Sequence, residues 1–319
     1  MKKFLIKGAI FAVVLFLLAA VLDYVLCKGL LRMEDYRFQD YAAMLEGGMD
    51  HDILVMGNSG AKAHFNTRLI DSLCHASSFN IGMGMYPINV ELMKYRLYRA
   101  HNQKPEILVI NVDGGTFWSI PDVRHQHQSE QFFPLVYDRL MRKELKTVGY
   151  GFQELWIPLY RFWGYQMVIK NGLFEALHLK HYVSMPGYKG FRAEEGPWDG
   201  TNFEKMEPGP IDFDPYSRSL FEDFLAQCHA DSVQVVIVFS PMYEQVKRVM
   251  LGLDEFKAWL GSFEAKYGFP FLDYMDCLSL SKDTGNFVNA SHMNPSATDT
   301  FTEVFCHELM ARFGGTIRE

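Results

Sequence analysis

Apolar positions along the chain fall into two regimes. From Gly8 to Leu22 fifteen successive residues are apolar without a break, and the run ends at Asp23. Beyond His51 the apolar residues come instead as short runs separated by helical patterns. The runs Ile53–Met56, Ser78–Ile81, Ile107–Val112, Val233–Phe239 and Phe269–Leu272 are dense in β-branched and aromatic residues and short enough for strands. Helical periodicity marks about 88–101, where Leu92, Tyr95, Leu97 and Tyr98 supply an apolar face, and about 217–230, 254–267 and 295–313. Because 107–110 and 235–238 are continuously apolar, they predict strands covered on both faces, and the alternation predicts an α/β domain with a parallel sheet.

The first regime predicts a membrane anchor. Fifteen residues are short for a span, but Lys7 can snorkel, which adds Phe4, Leu5 and Ile6 and gives roughly the 19 residues that a tilted helix needs. A cleaved signal peptide is the rival. No small-residue cleavage pattern follows the run, and Val25-Leu26 before Cys27 does not fit a lipoprotein site, so an uncleaved anchor is favoured over residues 1–27. Lys2 and Lys3 place the N-terminus in the cytoplasm and the remaining chain outside, periplasmic or at the cell surface. Residues 28–50 suit a juxtamembrane segment, and the folded domain is expected over 51–319. Residues 114–210 break the βα rhythm and read as an insertion, with Trp118, Trp156, Trp163 and Trp198 expected to form its small core.

The 319 residues carry a net charge of −7 with no basic stripe, which sets nucleic-acid binding aside. Five cysteines (Cys27, Cys74, Cys228, Cys277, Cys306) have no C-x-x-C spacing, so neither a zinc nor a redox site is indicated, and the odd count leaves at least one thiol unpaired. Arg124-His125-Gln126-His127 has an H-x-H spacing without further ligands, and the 17 methionines do not cluster; no metal and no cofactor is expected.

Candidate chemistry concentrates at the end of the first strand. In parallel α/β sheets, ligands bind beyond the carboxyl ends of the strands, and Ser59 stands there between Gly57 and Gly60. Ala61 excludes the G-x-S-x-G elbow, and no Gly-Lys-Ser/Thr makes a P-loop. A serine nucleophile needs a base, and His292, in a loop before the last helix, is the histidine placed to return to the sheet edge. His64, five residues after Ser59, either lines the same pocket or is an exposed helix residue.

Gly57-Asn58-Ser59 after the first strand, Asn80-Ile81-Gly82-Met83-Gly84 after the second and Ser291-His292-Met293-Asn294 near the C-terminus, in that order, resemble the SGNH (GDSL-like) hydrolase superfamily over residues 51–113 and 231–313. The closest look is to membrane-anchored members associated with acylation of cell-surface polymers. That resemblance implies a flavodoxin-like three-layer α/β/α fold. It also implies Ser59 as nucleophile, His292 as base, the N–H groups of Ser59 and Gly82 as oxyanion donors with Gly84 as the alternative, and Asn111 as a loose match to the family's donor asparagine. The family's triad acid falls on Asn289, which can orient the imidazole but supplies no charge; Asp283, in the same loop, is a possible substitute.

The implied activity is that of a serine esterase or O-acyltransferase acting on carbohydrate or cell-envelope polymer esters. Asn289 keeps a second reading open: an SGNH-like module that binds glycan or assists a membrane acyltransferase.

Overall fold

The computed structural model of the chain describes residues 1–118, 120, 122–184, 187–201, 203, 207–211, 213–277 and 279–315. Of the loop-rich stretch from Pro186 to Pro210, residues 186, 202 and 204–206 lie outside the described residues. Contacts divide the chain into two compact units, one of residues 1–46 with 121–186 and the other of 47–120 with 187–319.

The larger unit is built on a five-stranded sheet, β1 (Ile53–Gly57), β2 (Ser78–Asn80), β3 (Ile107–Asn111), β4 (Gln234–Phe239) and β5 (Phe271–Asp273). All pairings are parallel in the order β2-β1-β3-β4-β5, the flavodoxin-like arrangement. Register runs Ile53 opposite Ile107 to Gly57 opposite Asn111, and Asn111 opposite Val238, so the strand ends lie side by side.

Side chains alternate across the pleat. Ile53, Val55, Ile107, Val109, Val236, Val238 and Leu272 pack with Phe65, Ile70, Phe301, Phe305 and Leu309. That face is covered by α4 (Thr67–Cys74) and α11 (Pro295–Phe313). The opposite set, Leu54, Met56, Leu108, Ile110, Val235, Ile237 and Phe239, is equally buried, and Phe239 meets Phe256 of α10 (Leu253–Tyr267). Phe221 of α9 (Pro215–Ala230), Phe256 and Trp259 surround Phe117, Phe263 packs on Phe221 and Trp259, and α5 (Ile88–His101) lies alongside α9. Burial on both faces is why the strands read as unbroken apolar runs.

In the smaller unit α1 (Lys2–Leu30) carries the apolar run and is long and apolar enough to cross a membrane. Its last turns leave that regime. Asp23, Leu26, Cys27 and Leu30 are buried, the last three packed with Phe38, Phe133 and Phe162. Gly29 meets Gly172 of α8 (Gln166–Ala176), where a Cβ on Gly29 would stand 1.8 Å from the Gly172 carbonyl oxygen. The four tryptophans do not form one small core: Trp163 is 90% exposed and Trp156 half exposed, while Trp198 packs on Tyr243 and Phe287 in the larger unit. Phenylalanines and aliphatics make the core instead, because they bring no polar edge that must be satisfied. The five cysteines are free thiols.

Candidate active site

The residues singled out in the sequence gather at the C-terminal edge of β1, β3 and β4. Gly57 ends β1 with φ at 131°, and a Cβ there would lie 2.3 Å from the Asn111 carbonyl oxygen, so only glycine fits. The chain then enters α3 (Ser59–His64), whose N-cap Asn58 accepts from the Gly60 N–H. Ser59 is thus the first helical residue, half-buried, with its backbone N–H at a free helix end.

His292 and Asn289 form a tightly defined pair. Asn289 Oδ1 accepts from the backbone N–H groups of Ser291 and His292, both at 3.0 Å. Since those groups only donate, the atom is the amide oxygen, and the His292 Nδ1 lies 3.0 Å from it and 3.3 Å from Ser291 Oγ. The contact with the amide oxygen favours the tautomer with hydrogen on Nδ1 and the lone pair on Nε2. Burial lowers the pKa of His292 below 6.5, opposed by the carboxylates of Glu194 and Asp113, so the ring is neutral at neutral pH. His292 lies beside α3, its ring 5.9 Å from that of His64, although no hydrogen bond joins it to the Ser59 hydroxyl among the described residues. Asp283 instead caps the turn at Thr284–Asn286 through Gly285.

Three readings change: those of Gly82, His64 and Asn111. Gly82 is not placed as an oxyanion donor, because its N–H is taken by Asn80 Oδ1 at 2.8 Å, and the glycine is needed for packing: a Cβ would stand 2.6 Å from the Lys62 nitrogen. Gly84 is the better-placed alternative. A Cβ on it would lie 3.6 Å from Ser59 Cβ, and its N–H has no partner among the described residues.

His64 is neither a pocket wall nor exposed. It is 1% exposed, and both ring nitrogens are committed: Nε2 accepts from the Met293 N–H at 3.2 Å, which leaves Nδ1–H to donate to Ser240 Oγ at 2.8 Å. Burial and the neighbouring His292 hold its pKa well below 6.5.

Asn111 is also structural at this edge. Its Nδ2 donates to Asn58 Oδ1 at 3.3 Å and its Oδ1 accepts from the Ser240 N–H at 3.3 Å. Asn58 in turn donates to Thr116, which donates to Asp113. A continuous chain of hydrogen bonds thus runs from Asp113 through Thr116, Asn58, Asn111 and Ser240 to His64 and the Met293 backbone, next to His292.

Asn58 and Asn80 stood in the quoted motifs without a role, and Asp113 and Ser240 were missed; each ends or follows a sheet strand, which is the signal that could have assigned them. Asp113 and Ser291 also line a largely apolar cavity of about 400 Å³ with Ile211, Met242, Val246 and Met250. Among the described residues no group of three or more His, Cys, Asp or Glu side chains converges as metal ligands would.

No protein-family model and no curated protein matches the chain. Among solved structures the chain is similar to one described as a "putative acylhydrolase" from Bacteroides fragilis, at 11% identity and a TM-score of 0.36, over 86% of this chain and 95% of that one.

Proposed function

We propose that the protein is a membrane-anchored serine esterase or O-acyltransferase of the SGNH kind, with Ser59, His292 and Asn289 as its catalytic set. The observation that carries this reading is the Asn289–His292 pair, which fixes the imidazole with a basic Nε2 beside the helix that begins with Ser59. Nε2 takes the Ser59 proton as Oγ attacks the ester carbonyl. The N–H groups of Ser59 and Gly84 hold the oxyanion. Collapse expels the alcohol, which takes its proton back from the imidazolium, and the acyl-enzyme passes to water or to a sugar hydroxyl. Asn289 provides orientation without charge; Asp113 and Glu194 supply negative field at the ring.

A carbohydrate or cell-envelope polymer as substrate, and a membrane acyltransferase as partner, follow from the resemblance alone. An uncleaved anchor is supported by the burial of Asp23, Leu26 and Leu30, which makes the end of α1 part of a folded unit; a domain outside the cytoplasm follows from Lys2 and Lys3 at the N-terminal tip.

The test is fluorophosphonate labelling of the full chain in lipid nanodiscs, beside Ser59→Ala and His292→Ala. Labelling lost in both variants supports the acyl-enzyme route. A well-folded wild type that does not label overturns it and leaves the glycan-binding module, which Asn289 in the acid position favours.

A further inference from the structure

The segment 152–167, which runs into the first turn of α8, exposes a high density of large apolar side chains. Phe152 is 69% exposed, Trp156 49%, Tyr160 47%, Trp163 90% and Met167 62%, with Ile157 at 38%. All belong to the same compact unit as α1. The level of Trp163 along α1 is set by a cavity of about 480 Å³ whose walls include Leu22 and Leu26 of α1 together with Leu159, Phe162, Trp163 and Gln166, and Tyr160 and Met167 lie within four residues of Trp163 in the chain.

On α1 that level is where the exposed apolar run stops. Phe4, Phe11 and Leu18 are 77%, 70% and 63% exposed and Leu22 still 40%, whereas Asp23 and Leu26 are buried at 1% and 0%. Tyr24, half exposed, packs edge-on against Tyr137 at 5.3 Å, and the Lys28 ammonium lies 5.6 Å from the Tyr24 ring. The Arg142 guanidinium sits 4.4 Å from the Trp156 ring. Tyrosine, tryptophan and flanking cations at the end of an apolar helix are the composition of a membrane–water interface. Asp23 is turned inward, accepting from Tyr137 Oη, the Leu159 N–H and Arg161, so its charge does not face anionic headgroups.

We propose that Phe152, Trp156, Tyr160, Trp163 and Met167 seat the unit in the headgroup layer of the bilayer that α1 crosses. The proposal rests on the reading of α1 as a spanning helix and is independent of any chemistry at Ser59. If the hydrocarbon ends near Leu22, then Leu26 lies only about 6 Å further along the helix axis. The polar layer on each side of the hydrocarbon is of about that thickness. Trp163, which lines the cavity with both leucines, is therefore at headgroup depth whatever else the protein binds. A bilayer is the occupant that the tether itself delivers. Adjacent aromatic and Met side chains with cations beside them match its two-sided chemistry better than a wholly apolar protein groove.

The experiment uses the full chain with Cys277→Ser in nanodiscs of zwitterionic and anionic lipid. An environment-sensitive fluorophore is attached at Trp163→Cys in one protein and at Leu15→Cys in another. Lipids carrying a nitroxide on the headgroup or at mid-chain serve as quenchers. The expected result is at least twofold stronger quenching of position 163 by the headgroup label than by the mid-chain label, and the reverse order at position 15. Position 15 quenched at mid-chain with position 163 unquenched by either lipid overturns the interfacial seat while leaving the anchor in place. Neither position quenched overturns the anchor and the seat together. Because Trp163 is 90% exposed, its replacement leaves the packed core untouched.

Discussion

At the scale of single residues, the proposed chemistry turns on one atom of Asn289. Its amide oxygen receives three N–H donors, two from backbone and one from His292 Nδ1, and a carboxylate in the same place would accept all three with charge assistance. Asn289→Asp is therefore expected to raise kcat/KM, by up to about ten-thousandfold, the size of the reverse change in serine-protease triads. It should also move the acidic limb of the pH–rate profile upward, because a carboxylate favours the imidazolium. In the wild type, burial depresses His292, so the base stays unprotonated below its ordinary pKa and the limb falls below pH 6.5. A kcat/KM profile from pH 4.5 to 9 on both proteins checks both points; an unchanged limb in the variant would remove Asn289 from contact with the base. The candidate set of Ser59, His292 and Asn289 came from a glycine-flanked turn at a strand end and, for Asn289, from the three-residue spacing that the family resemblance implies, both of them local patterns. The choice between Gly82 and Gly84 was not legible, since it depends on Asn80, whose side chain takes one N–H and leaves the other.

At the scale of elements, α3 and the loop before α11 are locked by His64, a buried neutral imidazole joining Ser240 to the Met293 backbone. Its lowered pKa means that below about pH 6.5 the unfolded chain takes up a proton that the folded state refuses. Stability is therefore fully present above pH 6.5 and is lost as pH falls toward the depressed pKa. His64→Gln should lose about 1–3 kcal/mol at pH 8 through the broken bridge. It should also flatten the pH dependence of the urea midpoint between pH 6.5 and 5, the remaining slope coming in part from His292.

Glu91 on α5 acts in the opposite direction. It is 2% exposed, neither carboxyl oxygen has a hydrogen bond among the described residues, and burial with the nearby Asp113 raises its pKa well above 4.5. The fold holds that proton while the unfolded chain releases it, so stability is present below pH 4.5 and declines as pH rises toward the raised pKa. Glu91→Gln should leave the thermal midpoint at pH 4 nearly unchanged and raise it at pH 8; equal shifts at both values would place the charge elsewhere. The positions of β1, β3 and β4 were readable because these strands are apolar on both faces. His64 was not, because whether a polar helix residue faces solvent or core depends on partners more than 170 residues away in sequence.

At the scale of the whole molecule, the smaller unit joins the N-terminal 46 residues to the stretch from 122 to 184, a pairing that no local pattern announces. The aromatic density of the stretch was visible, but not that Phe133 and Phe162 close over Leu26, Cys27 and Leu30. The end of α1 thereby serves two roles, continuing the apolar helix and filling a core. Removing residues 1–27 deletes Leu26 and Cys27 from that core and takes Asp23 from Arg161, a guanidinium whose side chain is only 3% exposed. Breaking a buried ion pair from one side costs about 3–5 kcal/mol, before the lost apolar burial is counted. A chain beginning at Lys28 is thus expected to lose amide-exchange protection around Phe133, Phe162 and α8 relative to the full chain in nanodiscs, while the β1–β5 sheet of the larger unit keeps its slow amides. Hydrogen-exchange mass spectrometry on the two proteins decides it. Equal protection over residues 122–184 would mean that α1 contributes nothing to the unit's stability and that its burial there is incidental.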